Sequence, residues 1–481
     1  MLHFRHSKPR PLAKLCETGG FCPMRPAAII SLAAFLSASC ASIDMDSSKP
    51  PRPQCAATQS EAEAIRKAFF FGYPVYEMSR MRQRTLSLPG ARPNSLLHRT
   101  RLSGPSDRSI TMPNTDTLYS TAWLDLSGGP LRFSIPEMGT RYHSIQLMDP
   151  FSDVFAILRN ETTKAREYLI VGPDWEGEAA AGATVIASPS RDVWLVGRTF
   201  VKGPGDLAAA QELQQAYTIE ETGTLAAGTL AADTFSEAQI PKTPSAQEFL
   251  SVVNGALSRG PVRSIHQKRL GCFARAGIGP ASDMAVQVPS PGIKKVWDTA
   301  LGQLFIDTKE ALENSGTLRN GWRYPASNIG QFGEDDLYRS AIALGGLAAL
   351  PTQEAINPIT TRDANGDTLN GAFRYRLPIP ADVPVDGFWS LTLYKSDGAG
   401  RWFLHENPLD RYAIRSTNGG LVRQPDGTII LEISHQRPPH HLNWLPAPKG
   451  PFLLVFRAYR PQSAFARGHF VLSAVKRLSD Y

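Results

Sequence analysis

The sequence predicts a mainly β protein with an α-helical middle section, an α+β fold in which two β-sandwich-like modules are linked by helices. Two stretches, residues 111–202 and 357–459, contain short alternating apolar and polar runs separated by Pro and Gly turns, a pattern typical of strands. Between them apolar residues recur at three- and four-residue spacings, which indicates helices. The 39 glycines and 38 prolines favour β modules over a helical bundle.

The elements follow in order. Ser60 is expected to cap a helix that runs toward Arg84 and is kinked at Pro74, because proline lacks the backbone donor that a helix needs. The first module is predicted to contain strands at 118–126, 131–135, 142–148, 168–171, 184–187 and 193–201. Helices are predicted at 206–216, 245–257, 291–316 and 334–350. Strands return at 369–377, 388–395, 429–434 and 452–459.

These elements divide the chain into five segments. Residues 1–40 form a leader, whose true start we expect at Met24, and residues 41–58 form a Pro-rich tether. The first helix and first β module span 59–204, the helical middle section spans 205–350, and the second β module spans 351–481.

The leader predicts export. Residues 27–36 are strongly apolar, but these ten residues are too short for a membrane span, which needs about 20. Arg25 precedes them, and small residues followed by Cys40 come after, the order found in bacterial lipoprotein signals that are cleaved before a lipidated cysteine. Ser37 stands where such signals usually have Leu, so ordinary cleavage nearby, for example after Ala41, is the alternative.

Removal of the leader changes the charge and the cysteine content. The formal net charge falls from +7 to +3 when residues 1–39 are lost, and the remaining basic residues form no stripe, which argues against nucleic acid as a partner. Two cysteines other than the lipidated one remain, Cys55 and Cys272. They either form one disulfide in an oxidising compartment or stay separate thiols with Cys272 buried, and we favour the second.

The stretch Asn114-Thr-Asp116-Thr-Leu118 has a counterpart in Asn365-Gly-Asp367-Thr-Leu369. Each precedes an alternating run, an Ile-Pro pair and a further strand, and residues 141–148 align with 387–394 without a gap. We interpret this as an internal repeat of a β unit. A duplicated unit needs turns at its strand entries, so the repeat favours a turn role for Asp116 over a catalytic carboxylate.

The strings Met112-Pro-Asn-Thr-Asp-Thr-Leu-Tyr-Ser120, Gly172-Pro-Asp-Trp175 and Trp194-Leu-Val-Gly-Arg198 resemble the domain of unknown function DUF1254. Phe388-Trp-Ser-Leu-Thr-Leu-Tyr394 and Asn443-Trp-Leu-Pro-Ala-Pro448 are similar to its usual C-terminal companion, DUF1214. Together the resemblances cover most of residues 65–465. They imply a bacterial, often exported protein built of β-sandwich modules with helices between them, and they imply no established activity.

Signatures of the common hydrolases, P-loops and dinucleotide-binding folds are absent from the sequence. A loop that begins at Asp363 starts like a calcium loop, but Arg374 occupies the place of the required Glu, so we predict a β-turn there. The best metal candidate is the group His435, His440 and His441. Because adjacent residues of an extended chain point to opposite faces, His440 and His441 would need a bend to bind one ion, and an exposed polar loop is the alternative that we favour.

Ligand-binding candidates fall in two groups. Asn443 and Trp444 belong with other tryptophans to an aromatic groove for a sugar or another flat ligand, or else to a packed core. Polar residues around the first repeat strand form a second candidate pocket: Asn114, Asp116, Arg141, His143, Gln146 and Asp149.

We therefore expect an exported lipoprotein of the cell envelope, held in the periplasm or at the outer membrane by Cys40, or soluble in the periplasm or secreted if cleavage differs. It should bind a small or carbohydrate-like ligand in a cleft between modules. One alternative is a metal-assisted hydrolase that uses the histidine loop with Asp116 as base. Another is a structural or host-facing envelope protein. Cofactor and oligomeric state are not determined by the sequence.

Overall fold

Four β-sheets, two in each module, form the frame of the protein. The computed structural model describes residues 60–159, 164–222, 239–280, 291–439 and 443–479. In each module the two sheets pack face to face through their apolar sides, which gives two β-sandwiches. The predicted fold class is therefore confirmed.

The first sandwich contains nine strands: β1 (Leu97–Arg99), β2 (Thr117–Asp125), β3 (Leu131–Ile135), β4 (His143–Met148), β5 (Val154–Leu158), β6 (Arg166–Val171), β7 (Thr184–Ala187), β8 (Asp192–Phe200) and β9 (Thr218–Glu221). Its larger sheet has the order β1-β2-β8-β4-β5, and its smaller sheet has the order β7-β6-β3-β9. The strand pair β2 and β8 is antiparallel over nine residues and forms the centre of the larger sheet.

The second sandwich contains the remaining strands: β10 (Thr317–Arg319), β11 (Trp322–Tyr324), β12 (Ala355–Ile356), β13 (Ile359–Thr360), β14 (Tyr375–Ile379), β15 (Trp389–Ser396), β16 (Trp402–Leu404), β17 (Ala413–Arg415), β18 (Ile429–Ser434), β19 (Trp444–Pro446), β20 (Phe452–Tyr459) and β21 (Lys476–Arg477). The larger sheet has the order β10-β11-β13-β20-β15-β16, with β12 on β20 and β17 on β15. The smaller sheet has the order β19-β18-β14-β21.

The strand pairings support the internal repeat. In the first sandwich β3 pairs with β6, β4 pairs with β8, and β7 adds to β6 in parallel. In the second sandwich β14 pairs with β18, β15 pairs with β20, and β19 adds to β18 in parallel. The chain order is also the same, and β3 and β14 share one alternation of buried and exposed residues. Both modules are thus versions of one two-sheet unit.

Seven α-helices lie among the described residues: α1 (Glu61–Leu86), α2 (Leu207–Gln215), α3 (Ala246–Leu257), α4 (Ser264–Phe273), α5 (Pro291–Asn314), α6 (Asp336–Gly345) and α7 (Ser463–Ala466). Five of them share an apolar core that includes Phe69, Phe249 and Trp297. Gly72 lets α3 approach α1 closely, because a Cβ there would lie 3.0 Å from Ile278 and 3.3 Å from Phe249.

Several predicted boundaries differ from the structure. Helix α1 packs mainly in the helical core, while Met78, Met81 and Leu86 near its end also contact the first β module, and it continues through Pro74 without interruption. Strand β9 joins the first sandwich and β10 and β11 join the second, although all three lie in the predicted helical section. Strand β14 begins at Tyr375, not at residue 369, because a turn occupies residues 371–373. Strand β5 and helix α4 were not predicted, since neither shows a clear periodicity.

An aromatic cluster joins the two sandwiches. Phe388 stacks 4.3 Å from Tyr459, and its ring centroid lies 3.9 Å from that of Phe200 in the first module. Tyr142 completes the cluster with its ring 5.0 Å from Tyr459. These rings bury apolar surface between modules, so they stabilise the module arrangement.

Within the part of the chain that the structure describes, no helix combines the length and the apolar character needed to cross a membrane.

Candidate functional site

The stretch ahead of β2 lies against the second module. Trp402 exchanges hydrogen bonds with this stretch: its backbone carbonyl accepts from the Met112 amide at 2.8 Å, and its amide donates to the Thr111 hydroxyl at 3.0 Å. The Tyr394 hydroxyl donates to the Pro113 carbonyl at 2.7 Å. The conspicuous polar sequence is thus a connection between the modules.

Asp116 is fully buried within this connection. Its Oδ1 accepts from Arg415 Nε at 2.8 Å, and its Oδ2 accepts from the Ser390 hydroxyl at 2.6 Å. Tyr459 donates a longer hydrogen bond of 3.3 Å to Oδ2. A buried carboxylate needs such partners, since desolvation of an unpaired charge is costly. With both oxygens occupied by protein donors, Asp116 has the features of a structural residue rather than a catalytic base.

The turn role expected for Asp116 belongs to neighbouring residues. In the first copy the Asn114 side chain accepts from the Asp116 amide at 2.7 Å, which is an Asx turn. In the second copy Asp363 accepts from the amides of Asn365 and Asp367 at 2.9 and 3.0 Å. The calcium-like loop is therefore the β-turn that the sequence predicts, while Asp367 is exposed.

Arg141 and His143 also have internal partners. Arg141 donates to the Phe200 carbonyl and to Asp206 Oδ1, each at 2.7 Å. The His143 ring lies 3.0 Å from the Arg141 carbonyl through Nδ1, and burial lowers its pKa. Together with Asp116 and Asn114, these residues secure strand ends through hydrogen bonds within the protein.

Asn443 and Trp444 also have structural roles, because their polar groups bond to the protein backbone. Asn443, which adopts a positive φ of 56°, clamps the chain by exchanging hydrogen bonds with the backbone of Val422 at 2.8 and 2.9 Å. Trp444 is 7% exposed and donates to the Ser434 carbonyl at 3.0 Å. The predicted aromatic groove therefore lacks these two members.

The histidine and cysteine candidates extend beyond the described residues. His435 is exposed, and its Nδ1 lies 3.0 Å from the Ala447 carbonyl, which leaves Nε2 as its free ring nitrogen. His440 and His441 lie outside the described residues, so the metal site stays a prediction. Cys272 is half-buried and disulfide-bonded, which argues against a separate buried thiol. Because Cys55 lies outside the described residues, as Cys40 does, its pairing with Cys272 stays a prediction.

A cleft of about 770 Å³ opens between the two modules. The loop ahead of β2 forms one wall, and β15, β16 and the loop before β17 form the other. The lining residues are mostly charged or able to donate hydrogen bonds: Pro105, Ser106, Arg108, Lys395, Leu404, His405, Glu406, Asp410 and Tyr412. This volume lies in the range of about 300–1,000 Å³ that is typical of small-molecule sites.

The first-module wall of the cleft is held by Asp107. Its carboxylate accepts from the Gly104 amide at 2.8 Å, pairs with Arg101 at 2.7 Å and lies 2.9 Å from Arg99. The hydrogen bond from Arg101 is the main reason that the pKa of Asp107 is lowered to about 2. The loop is therefore anchored at every pH well above that value.

The second-module wall carries charges of both signs. Burial lowers the pKa of His405, and the charges of Lys395 and His435 lower it further, so its imidazole is neutral at pH 7. Partial burial raises the pKa of Tyr412 to about 12, and the carboxylates of Asp410 and Glu406 add to this effect. Tyr412 donates a 2.7 Å hydrogen bond to Asp410.

A second polar cluster lies buried beneath the first sandwich. Asp149 Oδ2 accepts from Arg263 at 3.0 Å, and Asp153 Oδ2 accepts from His266 and Arg339, each at 3.1 Å. Backbone amides donate to the other two carboxylate oxygens. The three groups Asp149, Asp153 and His266 are close enough to hold a cation. Two arginines already balance both carboxylates, however, so the donor set does not fit a divalent metal.

Within this cluster the pKa values of the two carboxyl groups are shifted in opposite directions. Burial, followed by the charge of Asp153, raises the pKa of Asp149. Burial acts to raise the pKa of Asp153 as well, but the hydrogen bond from His266 and the charge of Arg339 outweigh it and lower that pKa. The cluster connects the first sandwich to α4 and α6, which is a structural role.

The cleft residues were not among the sequence candidates. Arg108, Lys395 and Glu406 belong to no motif, and the first and last of them are separated by nearly 300 positions. The only sequence feature that pointed to a cleft was the internal repeat, because a repeat implies two modules whose loops can form a shared site.

Comparisons with known proteins agree with this architecture. Residues 93–221 match the family described as Protein of unknown function (DUF1254), and residues 354–463 match the one described as Protein of unknown function (DUF1214). The comparison with curated proteins finds no match.

One solved structure supports the fold, and a second is only weakly similar. The crystal structure of the VPA0106 protein from Vibrio parahaemolyticus is similar with a TM-score of 0.69 and 22% sequence identity, over 87% of this chain and 100% of that one. A putative uncharacterized protein from Burkholderia cenocepacia has a TM-score of 0.41 and 11% identity, over 87% of this chain and 93% of the other. With the two family matches in the predicted order, this chain is a protein that pairs an N-terminal DUF1254 domain with a C-terminal DUF1214 domain.

Proposed function

We propose that this chain is an exported lipoprotein, anchored to the cell envelope through Cys40, that binds a small, polar or carbohydrate-like ligand in the cleft between its two β-modules. The observation that carries the binding role is the cleft of about 770 Å³, whose walls come from both modules. Its position at a module boundary is where small-molecule sites are commonly found.

The construction of the walls supports a binding role. The loop at residues 105–108 is anchored by Asp107. The other wall is built on β15 and β16, which belong to the larger sheet of the second sandwich. Loops held by a rigid scaffold are the usual carriers of binding residues. Tyr412 offers an aromatic face together with a hydroxyl, a combination that suits ligands with apolar and polar sides.

A dialysis experiment tests the binding role. The full chain is dialysed against a bacterial metabolite extract, and metabolites enriched on the protein side are identified by mass spectrometry. The variant Ser106→Trp fills the cleft from an exposed lining position, and Ser251→Trp places the same side chain on an exposed face of α3 as a matched control.

We expect the wild type and Ser251→Trp to enrich the same metabolite and Ser106→Trp to lose it. No enrichment by the wild type, or equal enrichment by Ser106→Trp, would contradict a binding site in the cleft. Partner capture from envelope fractions would then test the structural or host-facing alternative.

The anchor is tested separately by growing expressing bacteria with an alkyne fatty acid. We expect label on the wild-type chain and none on Cys40→Ser, because the thiol of that cysteine is the acylation site. An unlabelled wild-type chain, or a mature form that begins after Ala41, would contradict lipidation.

A further inference from the structure

We infer, on the basis of the binding function proposed above, that the ligand of the cleft is a small zwitterion, with an anionic group bound by Arg108 and Lys395 and a cationic group bound by Glu406 and Asp410. All four side chains line the same space, and they contribute two charges of each sign. The chemistry fits an amino acid or short peptide, and equally a sugar that carries both an amine and a carboxylate.

The charges in the cleft differ from those around it. Arg101 pairs with Asp107, and Arg401 pairs with Asp397, each at 2.7 Å. Among the described residues, by contrast, neither Arg108 nor Lys395 has a carboxylate within 4.0 Å, and Glu406 has no cation within that distance. These two neighbouring arginines are thus neutralised within the protein, whereas Arg108, Lys395 and Glu406 are exposed in the cleft and available for a ligand.

The positive side of the cleft has a defined geometry. The Arg108 guanidinium lies over the Phe403 ring, 4.5 Å from its centroid. This contact holds the planar group in place while its N–H donors stay available, since cation–π attraction uses the face of the guanidinium. An oriented guanidinium is the side chain best suited to a carboxylate or phosphate.

The negative side of the cleft is grouped around Tyr412. Its hydroxyl bonds to Asp410 Oδ1, which orients that carboxylate and leaves Oδ2 available. Glu406 and Asp410 both line the cleft beside this tyrosine, and they are only four positions apart in the chain. A pair of carboxylates favours an ammonium group, which can donate three hydrogen bonds.

Net charge then selects the class of ligand. A neutral sugar would cover four charged groups without compensating any of them, and desolvation of unpaired charge is unfavourable. A purely anionic ligand would meet Glu406 and Asp410, and a purely cationic ligand would meet Arg108 and Lys395. A zwitterion pairs with both sides at once.

Calorimetric titration of the full chain with two matched probe sets tests this inference. One set is alanyl-alanine with its N-acetylated and C-amidated forms, and the other is muramic acid with N-acetylmuramic acid, glucosamine and glucose. Each set holds the skeleton nearly constant while one or both charges are removed. The two sets also distinguish a peptide source from an amino-sugar source.

We expect the zwitterion of one set to bind at least about tenfold more tightly than its singly charged and neutral relatives, because each relative loses at least one charge-assisted hydrogen bond. Lys395→Gln and Glu406→Gln should each weaken that binding by about tenfold or more. Lys268→Gln and Glu212→Gln, which remove exposed charges on α4 and α2, are the controls and should leave the affinity unchanged.

The outcomes separate the two proposals. A singly charged or neutral probe that binds as tightly as its zwitterion would overturn the inference and leave the binding function intact. If no probe binds, the metabolite enriched by dialysis decides, because a zwitterion supports the inference and any other class overturns it. If dialysis also enriches nothing, the binding function itself fails.

Discussion

At the scale of single residues, Asp116 shows how a motif-like polar residue can serve structure. It accepts hydrogen bonds from Arg415 and Ser390, which lie 299 and 274 positions away in the other module. Loss of one partner from a buried ion pair is more damaging than loss of an exposed pair, because the remaining charge stays desolvated. The exposed counterpart Asp367 makes no comparable contact among the described residues.

Asp116→Ala should therefore lower the free energy of unfolding by about 3–5 kcal/mol. Asp367→Ala, at the equivalent position of the repeat, should change it by less than about 0.5 kcal/mol. Urea denaturation followed by tryptophan fluorescence measures both. Equal effects of the two substitutions would show that the inter-module pair has no special importance.

Glu354 provides a residue-scale test of pH dependence. Its carboxyl is 1% exposed and accepts from the Tyr142 hydroxyl at 2.8 Å and from Arg159 at 2.5 Å, but burial outweighs these partners and raises its pKa above the ordinary value of 4.5. The folded state therefore binds this proton more tightly than the unfolded state does. The associated stability is fully present below the unfolded pKa and is lost as the pH rises through the folded pKa.

Glu354→Gln removes this titration while keeping the acceptor for Tyr142. The stability of the wild type relative to the variant should fall as the pH rises from about 4 to about 8. Urea denaturation of both proteins across that range gives the difference. A difference that is constant, or that grows with pH, would contradict a raised pKa.

At the scale of elements, the helices depend on caps as well as on the apolar core. Ser245 and Glu248 form a capping box at the start of α3, in which each side chain bonds to the backbone of the other. This cap satisfies amides that would otherwise lack partners at the helix start. It also sets where α3 begins against α1.

Ser245→Ala should reduce the free energy of unfolding by about 1 kcal/mol, the usual cost of losing an N-cap. Ser251→Ala, on an exposed face of the same helix, should be neutral or slightly stabilising because alanine favours helices. Thermal unfolding followed by circular dichroism compares the two. A Ser245 variant as stable as the Ser251 variant would show that the cap contributes little.

The second prediction for an element concerns the loop at residues 105–108, which forms one wall of the cleft. Asp107→Asn should speed hydrogen exchange at the Gly104 amide, because a neutral side chain holds Arg101 and Arg99 more weakly. In the wild type the anchor should be complete at neutral pH and be lost only as the pH falls through about 2. Asp174→Asn, which breaks an exposed pair with Arg191, serves as the control. Unchanged exchange at Gly104 would mean that the loop does not depend on this carboxylate.

At the scale of the whole molecule, the two sandwiches are coupled by the aromatic cluster around Phe388. This ring contacts Phe200 from the first module and Tyr459 from the second. Because the cluster buries apolar surface that neither module covers alone, it should make the modules unfold together.

Phe388→Ala should cost about 3–5 kcal/mol and should broaden or divide the unfolding transition. The half-buried Phe470, which packs within the second module, provides a control in which the same substitution leaves one transition. Differential scanning calorimetry distinguishes a single unfolding transition from a broadened or divided one. A single sharp transition for Phe388→Ala would show that other contacts couple the modules.

The sequence by itself determined the local elements, the order of the two domains and the internal repeat. Strands β3, β7, β18 and β20 were predicted at their observed bounds, since period-two alternation and flanking turns are local signals. The helix predicted at 245–257 also agrees with α3 to within one residue, because the cap formed by Ser245 needs only the next three residues. The turn at Asp363 was also readable, because an Asx side chain bonds to its own neighbouring backbone.

Only the tertiary structure decided which distant residues meet. The sheet that receives β9, the placement of α1 in the helical core and the burial of Asp116 against Arg415 all depend on pairings across long stretches of chain. The cleft also depends on tertiary structure, because Arg108 and Lys395 come from different modules and no sequence pattern links them. Sequence periodicity reports which face of an element is apolar, whereas the partner of that face is chosen by the packing of the whole fold.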